Sequence, residues 1–125
     1  MRADRRHLRC VIARLPFVGR DSELSVVLRA LAERRGIALV GPPGVGKTRL
    51  AAEAVDRLRR RGQRVIDCYA TTAASVVPFG ALAALLPADL RTGNPLRRAV
   101  ELIPPGLVIS VDDAHLLDQP SIALL

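Results

Sequence analysis

The sequence predicts an α/β fold organised around a parallel sheet, and three observations support that prediction. Short, mainly apolar runs recur along the chain, as is typical of strands in a parallel sheet. Segments with apolar residues at helical spacing separate these runs. A glycine-rich loop joins the first apolar run to one of the predicted helices. The 125 residues suit one small domain and leave no room for two of ordinary size.

Hydrophobic periodicity and helix-end residues predict the individual elements. Strands are predicted at 37–40, 64–69 and 107–111, the first of them buried. Helices are predicted at 21–35, 47–61, 78–86 and 95–103, with a last one beginning near Gln119. Gly36 and Gly62 suit the left-handed positions that end the first two helices. Asn94-Pro95 is a typical helix start, with proline at the first helical position.

The glycine-rich loop carries the most specific motif in the chain. Its sequence, Gly41-Pro42-Pro43-Gly44-Val45-Gly46-Lys47-Thr48, matches G-x-x-x-x-G-K-[ST] at each fixed position. Glycines let the backbone wrap closely around a phosphate, and the N–H groups of the following helix point at the anion. Lys47 is expected to contact the β- and γ-phosphates, and the Thr48 hydroxyl is expected to bind Mg²⁺. The alternative is a Gly/Pro surface turn, but the position between an apolar strand and an amphipathic helix favours a phosphate-binding loop (Walker A).

The second motif is an apolar strand that ends in two acids, as in a Walker B element over 107–113. The strand would hold Asp112 at the carboxyl edge of the sheet, beside the phosphate loop, where its carboxylate completes the Mg²⁺ shell. Asp113 is predicted to orient or deprotonate the attacking water, although related ATPases often have the longer Glu there. The alternative is a strand followed by a solvated acidic turn. His115 is a third candidate for chemistry, with packing or hydrogen bonding as its alternative role.

Charge is distributed unevenly along the chain. Residues 1–66 contain sixteen Arg or Lys against six acids, whereas the remainder is net acidic. Lys47 is the only lysine. A basic half raises the hypothesis of nucleic-acid contact, but the surplus lies in an Arg-rich helix face and in residues 1–16, which we predict to be a disordered basic leader. A solvated helix face is therefore the favoured interpretation.

Cysteine content and hydropathy bear on the compartment. The two cysteines, Cys10 and Cys68, lack a CxxC spacing, so neither a metal site nor a disulfide framework is expected. This pattern fits a reducing cytoplasm. Cys68 is predicted to be a small buried strand residue. No apolar run approaches the roughly 18–20 residues that span a membrane, so no membrane partner is expected.

Three segments together resemble a known family. Phe17-Val18-Gly19-Arg20-Asp21-x-Glu23-Leu24, the GPPGVGKT loop, and Val111-Asp112-Asp113-Ala114-His115-Leu116-Leu117-Asp118 are similar to the ATPase module of the STAND class of AAA-like ATPases. The chain is most similar to the large ATP-dependent LuxR-type transcriptional regulators, also at 78–82. The resemblance covers 17–125 and implies a three-layer α/β/α P-loop NTPase core that acts as an ATP-driven switch.

The resemblance also implies site residues and partners. ATP or ADP and Mg²⁺ would bind residues 41–48 and Arg49, with Val18 and Arg20 near the adenine. Lys47 and Asp113 would be the catalytic residues, and Thr48 and Asp112 the metal ligands. DNA would be contacted only through regions that this chain lacks. Self-association, if it occurs, is expected of the full-length protein.

The order of strands in this class leads to a further expectation. The strand that follows Walker B lies between the Walker A and Walker B strands, so a chain ending at Leu125 would supply a partial domain, 17–125, truncated after the Walker B strand. Such a chain is expected to be marginally folded and to hydrolyse ATP slowly or not at all. Two other hypotheses stay open. One is an oligomeric AAA-type loader, and the other is a nucleotide-binding or inert fragment without turnover.

Overall fold

The computed structural model of the chain describes residues 16–87 and 94–125. The predicted basic leader therefore lies outside the described residues, apart from Pro16. The helices are α1 (Asp21–Ala32), α2 (Lys47–Arg60), α3 (Pro95–Leu102) and α4 (Gln119–Leu124). The strands are β1 (Val65–Tyr69) and β2 (Val108–Asp112). Single turns of 3₁₀ helix lie at Ala74–Val76, Gly80–Leu82 and Ala114–Leu116.

The two strands form a parallel pair, as the sequence predicts. Their register pairs Val65 with Val108 and Tyr69 with Asp112, so the carboxyl ends of both strands lie at the same edge. Successive side chains of a strand point to opposite faces. One face of the pair is apolar, and on the other Arg59 of α2 forms an ion pair with Asp67 at 3.0 Å. Helix α2 therefore lies on the face that carries Asp112.

The apolar face of the sheet is covered by the main core. Its buried members are Cys68, Phe79, Leu82, Leu86 and Ala99. The strand residues packed against them are Ile66, Ile109 and Val111. Cys68 is buried as predicted, and burial, followed by the nearby Asp67 charge, raises the pKa of its thiol. Burying one such large side chain contributes roughly 1.5–3 kcal/mol, so this cluster holds the strand pair against the segments that follow it.

A second core joins α1 to α2. Leu24 and Val27 of α1 pack with Leu50 and Ala54 of α2, and all four are buried. The apolar residues whose spacing predicted the two helices are thus the residues that form the contact between them. Since Leu24 lies one turn after Arg20, this packing brings the start of α1 to the start of α2.

Helices α1 and α2 end in the same hydrogen-bonding motif with different residues. Gly62 occupies the left-handed position after α2 at φ 78°, and the N–H of Gln63 bonds back to Leu58 O at 3.0 Å. This confirms the predicted role of Gly62. The prediction for Gly36 is wrong, because Arg34 takes the left-handed position at φ 57° and Arg35 N–H bonds to Ala30 O at 2.9 Å. Helix α1 consequently ends at Ala32 and not near 35.

Replacing Arg34 with glycine should stabilise the chain. A residue with a Cβ is strained in the left-handed region, whereas glycine is not, so we expect Arg34→Gly to raise the free energy of unfolding by about 1 kcal/mol. Chemical denaturation followed by circular dichroism would measure it. Gly62→Ala, at the equivalent position of α2, should lower stability by a similar amount. A loss of stability in Arg34→Gly would contradict the prediction.

The segment 37–40 differs from the prediction of a buried strand. It pairs with neither strand of the described sheet, whose order is β1-β2. Val40 is 92% exposed and Ile37 39%. Leu39 packs against the α1–α2 core, so one side of the segment is anchored. An isolated segment cannot form a ladder or bury both faces without a neighbouring strand, and within the described residues none lies beside it.

The prediction of a helix at 78–86 is also wrong. The described segment contains one 3₁₀ turn, Gly80–Leu82, preceded by Phe79 at φ 59°. A left-handed residue cannot belong to a right-handed helix. Phe79 holds this conformation with its N–H donating to Asp118 Oδ2 at 3.0 Å, a contact across 39 residues that helical periodicity does not reveal.

The last two helices begin as predicted, each with a side-chain cap and proline in the first turn. The Asn94 side chain accepts a hydrogen bond from Arg97 N–H at the start of α3, and Asp118 accepts one from Ser121 N–H at the start of α4. Neither these helices nor any other described one has the length and apolar character needed to cross a bilayer.

Candidate functional site

The phosphate-loop residues connect the segment 37–40 to the first turn of α2. Two of its glycines have left-handed backbones, Gly44 at φ 77° and Gly46 at φ 91°. Gly46 is also the residue before α2, and its carbonyl accepts the N–H of Leu50 at 3.0 Å. A Cβ placed at Gly41 would lie 3.2 Å from Val45 Cγ1. The loop thus adopts a compact turn for which glycine is the suitable residue at several positions.

The ammonium group of Lys47 is directed back into this loop. Its Nζ donates to the carbonyl oxygens of Gly41, at 2.8 Å, and Pro42, at 2.9 Å. An ammonium has three donors, so one remains beyond these two contacts. Because Lys47 is also the first residue of α2, its positive charge adds to the N-terminal end of the helix dipole. The loop therefore combines a positive side chain with a helix N-terminus, as an anion site requires.

Thr48 and Asp112 meet although 64 residues separate them in sequence. The Thr48 hydroxyl oxygen lies 3.4 Å from each carboxylate oxygen of Asp112. Thr48 is in the first turn of α2, and Asp112 ends β2 at the carboxyl edge of the sheet. The helix packing and the strand pairing described above thus bring together the two predicted metal ligands.

The donor set at this point fits Mg²⁺. A hydroxyl and a carboxylate offer hard oxygen atoms, which Mg²⁺ prefers. In residues 16–87 and 94–125 no three His, Cys, Asp or Glu side chains cluster in a way that would hold a metal by themselves. Mg²⁺ commonly uses one or two protein ligands and completes its octahedron with water and substrate phosphates. Thr48 and Asp112 match that type of site.

Asp113 and His115 follow the strand on an exposed turn. Asp113 has a left-handed backbone at φ 54°, and its N–H donates to Asp112 Oδ1 at 3.1 Å. Its backbone therefore orients the Asp112 carboxylate, while its own side chain is exposed beyond the end of the sheet. His115 is exposed within the 3₁₀ turn Ala114–Leu116. The structure places both near the strand end, and their chemical roles stay predictions.

Arg20 lies against the phosphate loop. A Cβ built at Gly46 would be 3.2 Å from Arg20 Nη1, and Arg20 Nε forms an ion pair with Glu23 at 3.5 Å. Sequence analysis did not assign Glu23 a role, although its i, i+3 spacing from an arginine is a recognisable signal. Val18, the other predicted adenine contact, is 77% exposed. Arg49 is partly buried in the first turn of α2.

A cavity of about 400 Å³ opens beside the loop, between α1 and the segment 37–40. Its polar lining comes from Arg20, Glu23 and Lys47, and Val18 is not part of it. Its apolar walls are formed by Val26, Val27, Ile37, Leu39, Val40, Val45 and Leu50. Mostly apolar walls with a few convergent polar groups are typical of small-molecule sites.

A second cavity, of about 360 Å³, lies at the other end of β2. Gly106, Leu107 and Val108 line it, and these residues precede or begin the strand. Asp112 and Thr48 lie at the carboxyl end. In α/β sheets ligands bind outside the carboxyl ends of the strands, so the cavity beside the phosphate loop is the candidate site.

The parallel strands, the glycine loop and the carboxylate at the strand end define a nucleotide-binding α/β protein of the P-loop kind. The chain belongs to the AAA ATPase domain family, whose model matches residues 16–99. The match includes the phosphate loop and ends before β2, so the position of Asp112 beside Thr48 comes from the structure and not from the family model.

Relatives of this chain include proteins of Mycobacterium bovis and of two strains of Mycobacterium tuberculosis, each named only as an uncharacterized protein. Each is 47% identical over 49 residues, which is 39% of this chain and 11% of the relative. The chain thus matches only a small part of the length of these relatives. No solved structure matches it.

Proposed function

We propose that this chain is the Mg-ATP-binding part of a signal-transducing regulatory ATPase. The observation that carries the proposal is the meeting of Thr48 and Asp112 at 3.4 Å, directly behind a loop that contains Lys47. Helix packing and strand pairing bring this hydroxyl and this carboxylate together at an exposed point, where they offer two hard oxygen ligands. Such a pair can share a metal ion that is bound to the phosphates of a nucleotide.

In this proposal the loop residues act on the phosphates. Backbone N–H groups of 44–48 surround the phosphate oxygens, where the α2 dipole favours negative charge. The Lys47 ammonium exchanges its contacts with Gly41 and Pro42 for the β- and γ-phosphates. Thr48 and Asp112 hold Mg²⁺, which when bound neutralises charge on the β- and γ-oxygens. Each role uses a group that already lies at the carboxyl edge of the sheet.

The base is proposed to occupy the cavity beside the loop. Its aliphatic walls suit the faces of a purine, and Arg20 and Glu23 offer a donor and an acceptor to its edge. Arg20 is the better supported of the two adenine contacts predicted from sequence, because it lies against Gly46. Val18 stays a predicted contact. The preference for ATP over GTP rests on the family.

The regulatory role rests on the sequence resemblance to STAND-type and LuxR-type proteins. We propose that hydrolysis, with Asp113 orienting water, times a conformational switch in the complete protein, and that DNA is contacted by other regions. A cytoplasmic location accords with this role. In this proposal a further strand joins the segment 37–40, which pairs with neither described strand, to the β1-β2 pair and completes the three-layer P-loop core.

A binding module without turnover is the second candidate. It is favoured by the position of Asp113, which is exposed and has a left-handed backbone. Among the described residues, none is seen to hold its short side chain near the phosphate loop, where a catalytic carboxylate would have to act. An oligomeric AAA-type loader would share the same site. An arginine supplied by a neighbouring subunit, detected as ATPase activity that rises with protein concentration, would distinguish it from both other candidates.

Asp112→Asn tests the proposed metal site. We expect Mg²⁺ to strengthen binding of a fluorescent ATP analogue to the wild-type chain, and the variant to lose about tenfold in affinity with Mg²⁺ present and little without it. The reason is that a charged metal ligand is replaced by a neutral amide, a change of about 1.4 kcal/mol. The measurement is a fluorescence titration in Mg²⁺ and in EDTA.

The matched control is Asp56→Asn, which removes one negative charge from an exposed position of α2. It should leave both affinities unchanged. Equal Mg²⁺ dependence in the wild-type and Asp112→Asn chains would show that Asp112 does not hold the metal.

A further inference from the structure

Tyr69 lies beside the proposed metal ligand Asp112. It ends β1 and pairs in the ladder with Asp112, which ends β2. The strands are still bonded at this point, because Ala70 N–H donates to the Asp112 carbonyl oxygen at 3.1 Å. Paired strands share one pleat, so paired residues direct their side chains to the same face. The Tyr69 side chain therefore projects from the face that carries the Asp112 carboxylate.

The Tyr69 side chain is not part of a core. The residues on either side of it, Cys68 and Ala70, are buried, whereas Tyr69 is 57% exposed. Within residues 16–87 and 94–125, no hydrogen bond joins its hydroxyl to another side chain or to the backbone. A phenol hydroxyl both donates and accepts hydrogen bonds. This hydroxyl is therefore available to a ligand at the carboxyl edge of the sheet.

Three oxygen-bearing side chains from three elements thus come to one edge. The Thr48 hydroxyl of α2 lies 3.4 Å from both Asp112 carboxylate oxygens, and Tyr69 occupies the ladder position next to Asp112. Helix α2 contacts both strands, so the three elements are held against one another. A tyrosine side chain is longer than that of aspartate, so its hydroxyl can reach a layer of ligands beyond the carboxylate.

The hydration of Mg²⁺ fits a hydroxyl in this outer position. Mg²⁺ dehydrates reluctantly and usually keeps several waters in its shell. Protein groups that hydrogen-bond to the ligands of a metal orient those ligands and strengthen its binding. With Thr48 and Asp112 as the protein ligands, the remaining waters need partners at the same edge. Tyr69 offers a neutral acceptor there without adding charge to the site.

We propose that Tyr69 binds the water shell of the Mg²⁺ site, its hydroxyl accepting a hydrogen bond from a metal-bound water. The inference rests on the proposed function, since it concerns the same metal site. Tyr69 is a positioning residue in this proposal, because it acts on the metal through a water. Thr48 and Asp112 remain the ligands.

Tyr69→Phe is the test, because it removes the hydroxyl and keeps the ring and its preference for a strand. We expect the strengthening of ATP binding by Mg²⁺ to fall about fivefold, which is the typical net effect of one hydrogen bond. Affinity in EDTA should stay that of the wild type. The measurement is titration with a fluorescent ATP analogue in Mg²⁺ and in EDTA.

Ser110→Ala is the matched control. Ser110 carries a hydroxyl on the same face of β2, two residues before Asp112, and pairs with Asp67 in the middle of the ladder. Its removal should leave both affinities unchanged. An equal loss of the Mg²⁺ effect in Ser110→Ala would show that the effect is not specific to the edge position, and would overturn the inference.

A double-mutant cycle gives a readout that a merely structural role would not produce. In the Asp112→Asn background the metal is held poorly, so Tyr69→Phe should have little further effect on ATP affinity with Mg²⁺. The two substitutions are thus expected to be non-additive, as for residues that act on one group. Fully additive losses would mean that Tyr69 and Asp112 act independently, and would overturn the inference.

The intrinsic fluorescence of the chain gives a second readout. Tyr69 is the only tyrosine and the sequence contains no tryptophan, so the emission reports this side chain alone. Quenching of the emission by acrylamide should decrease more with ATP and Mg²⁺ than with ATP in EDTA, because the hydrated metal covers the phenol. Equal quenching in the two conditions, at saturating ATP, would contradict the proposal.

The outcomes separate this inference from the proposed function. A wild-type chain whose affinity for ATP does not respond to Mg²⁺ overturns the proposed metal site and this inference with it. A normal response in the wild type that Asp112→Asn loses and Tyr69→Phe keeps overturns the inference alone. Equal losses in Mg²⁺ and in EDTA for Tyr69→Phe also overturn it, since the hydroxyl would then bind the nucleotide and not the metal-bound water.

Discussion

Lys47→Ala should abolish most of the affinity of this chain for ATP. The ammonium contacts the loop carbonyl oxygens of Gly41 and Pro42. Removing a charged contact to phosphate costs about 3 kcal/mol, so the dissociation constant should rise about a hundredfold. No other lysine exists in the sequence to replace it. A fluorescent-ATP titration with Mg²⁺ measures the change.

A matched control separates specific binding from general attraction to a basic chain. Arg60→Ala removes one positive charge from the exposed far end of the same helix. Its affinity for ATP should remain close to that of the wild type at physiological salt, because charges beyond the screening length contribute little. If Lys47→Ala and Arg60→Ala bind ATP equally well, the loop is not the phosphate site.

Gly80→Ala is expected to have the largest effect on stability. A Cβ built at Gly80 would lie 2.1 Å from the carbonyl oxygen of Ala74 and 2.9 Å from its carbonyl carbon. These are backbone atoms of the neighbouring 3₁₀ turn, so no flexible side chain can move aside. We expect a loss of about 3 kcal/mol in the free energy of unfolding, at the upper end for overpacked positions. Denaturant unfolding followed by circular dichroism gives the value.

Gly36→Ala is the matched control for this substitution. No atom lies within 4 Å of a Cβ built at Gly36, and its backbone is not left-handed. The same addition of one methyl group should therefore change stability by less than about 0.5 kcal/mol. A similar small effect at Gly80 would mean that the segment 74–82 is not packed as described.

The features predicted correctly from sequence are those set by local chemistry. The G-x-x-x-x-G-K-[ST] loop can be recognised from residue type and spacing alone. The bounds of α2 follow from its apolar spacing and from Gly62, and α3 begins at a cap that Asn94-Pro95 specifies. The predicted bounds of β1 and β2 agree with the structure to within one residue, because both strands are rich in the β-branched and apolar residues that favour a strand.

The failures share a different cause. Strand character at 37–40 depends on a neighbouring strand, and the apolar sequence of the segment specifies a preference but not a partner. At the end of α1, Arg34 adopts a backbone that residue type alone disfavours. At Phe79, a hydrogen bond to Asp118 decides the conformation. Each case requires a contact with a distant or strained group, which no local pattern encodes.

The sequence by itself determined the class of this protein, because a phosphate loop is defined by residues adjacent in the chain. It also determined that two acids, Asp112 and Asp113, stand at the carboxyl end of β2. Only the tertiary structure decided that Asp112 reaches Thr48, that Arg20 lies against the phosphate loop, and that the buried Asp118 ties the loop after β2 to Phe79. The physical reason is that these contacts join residues far apart in sequence, and packing of whole helices and strands sets their distances.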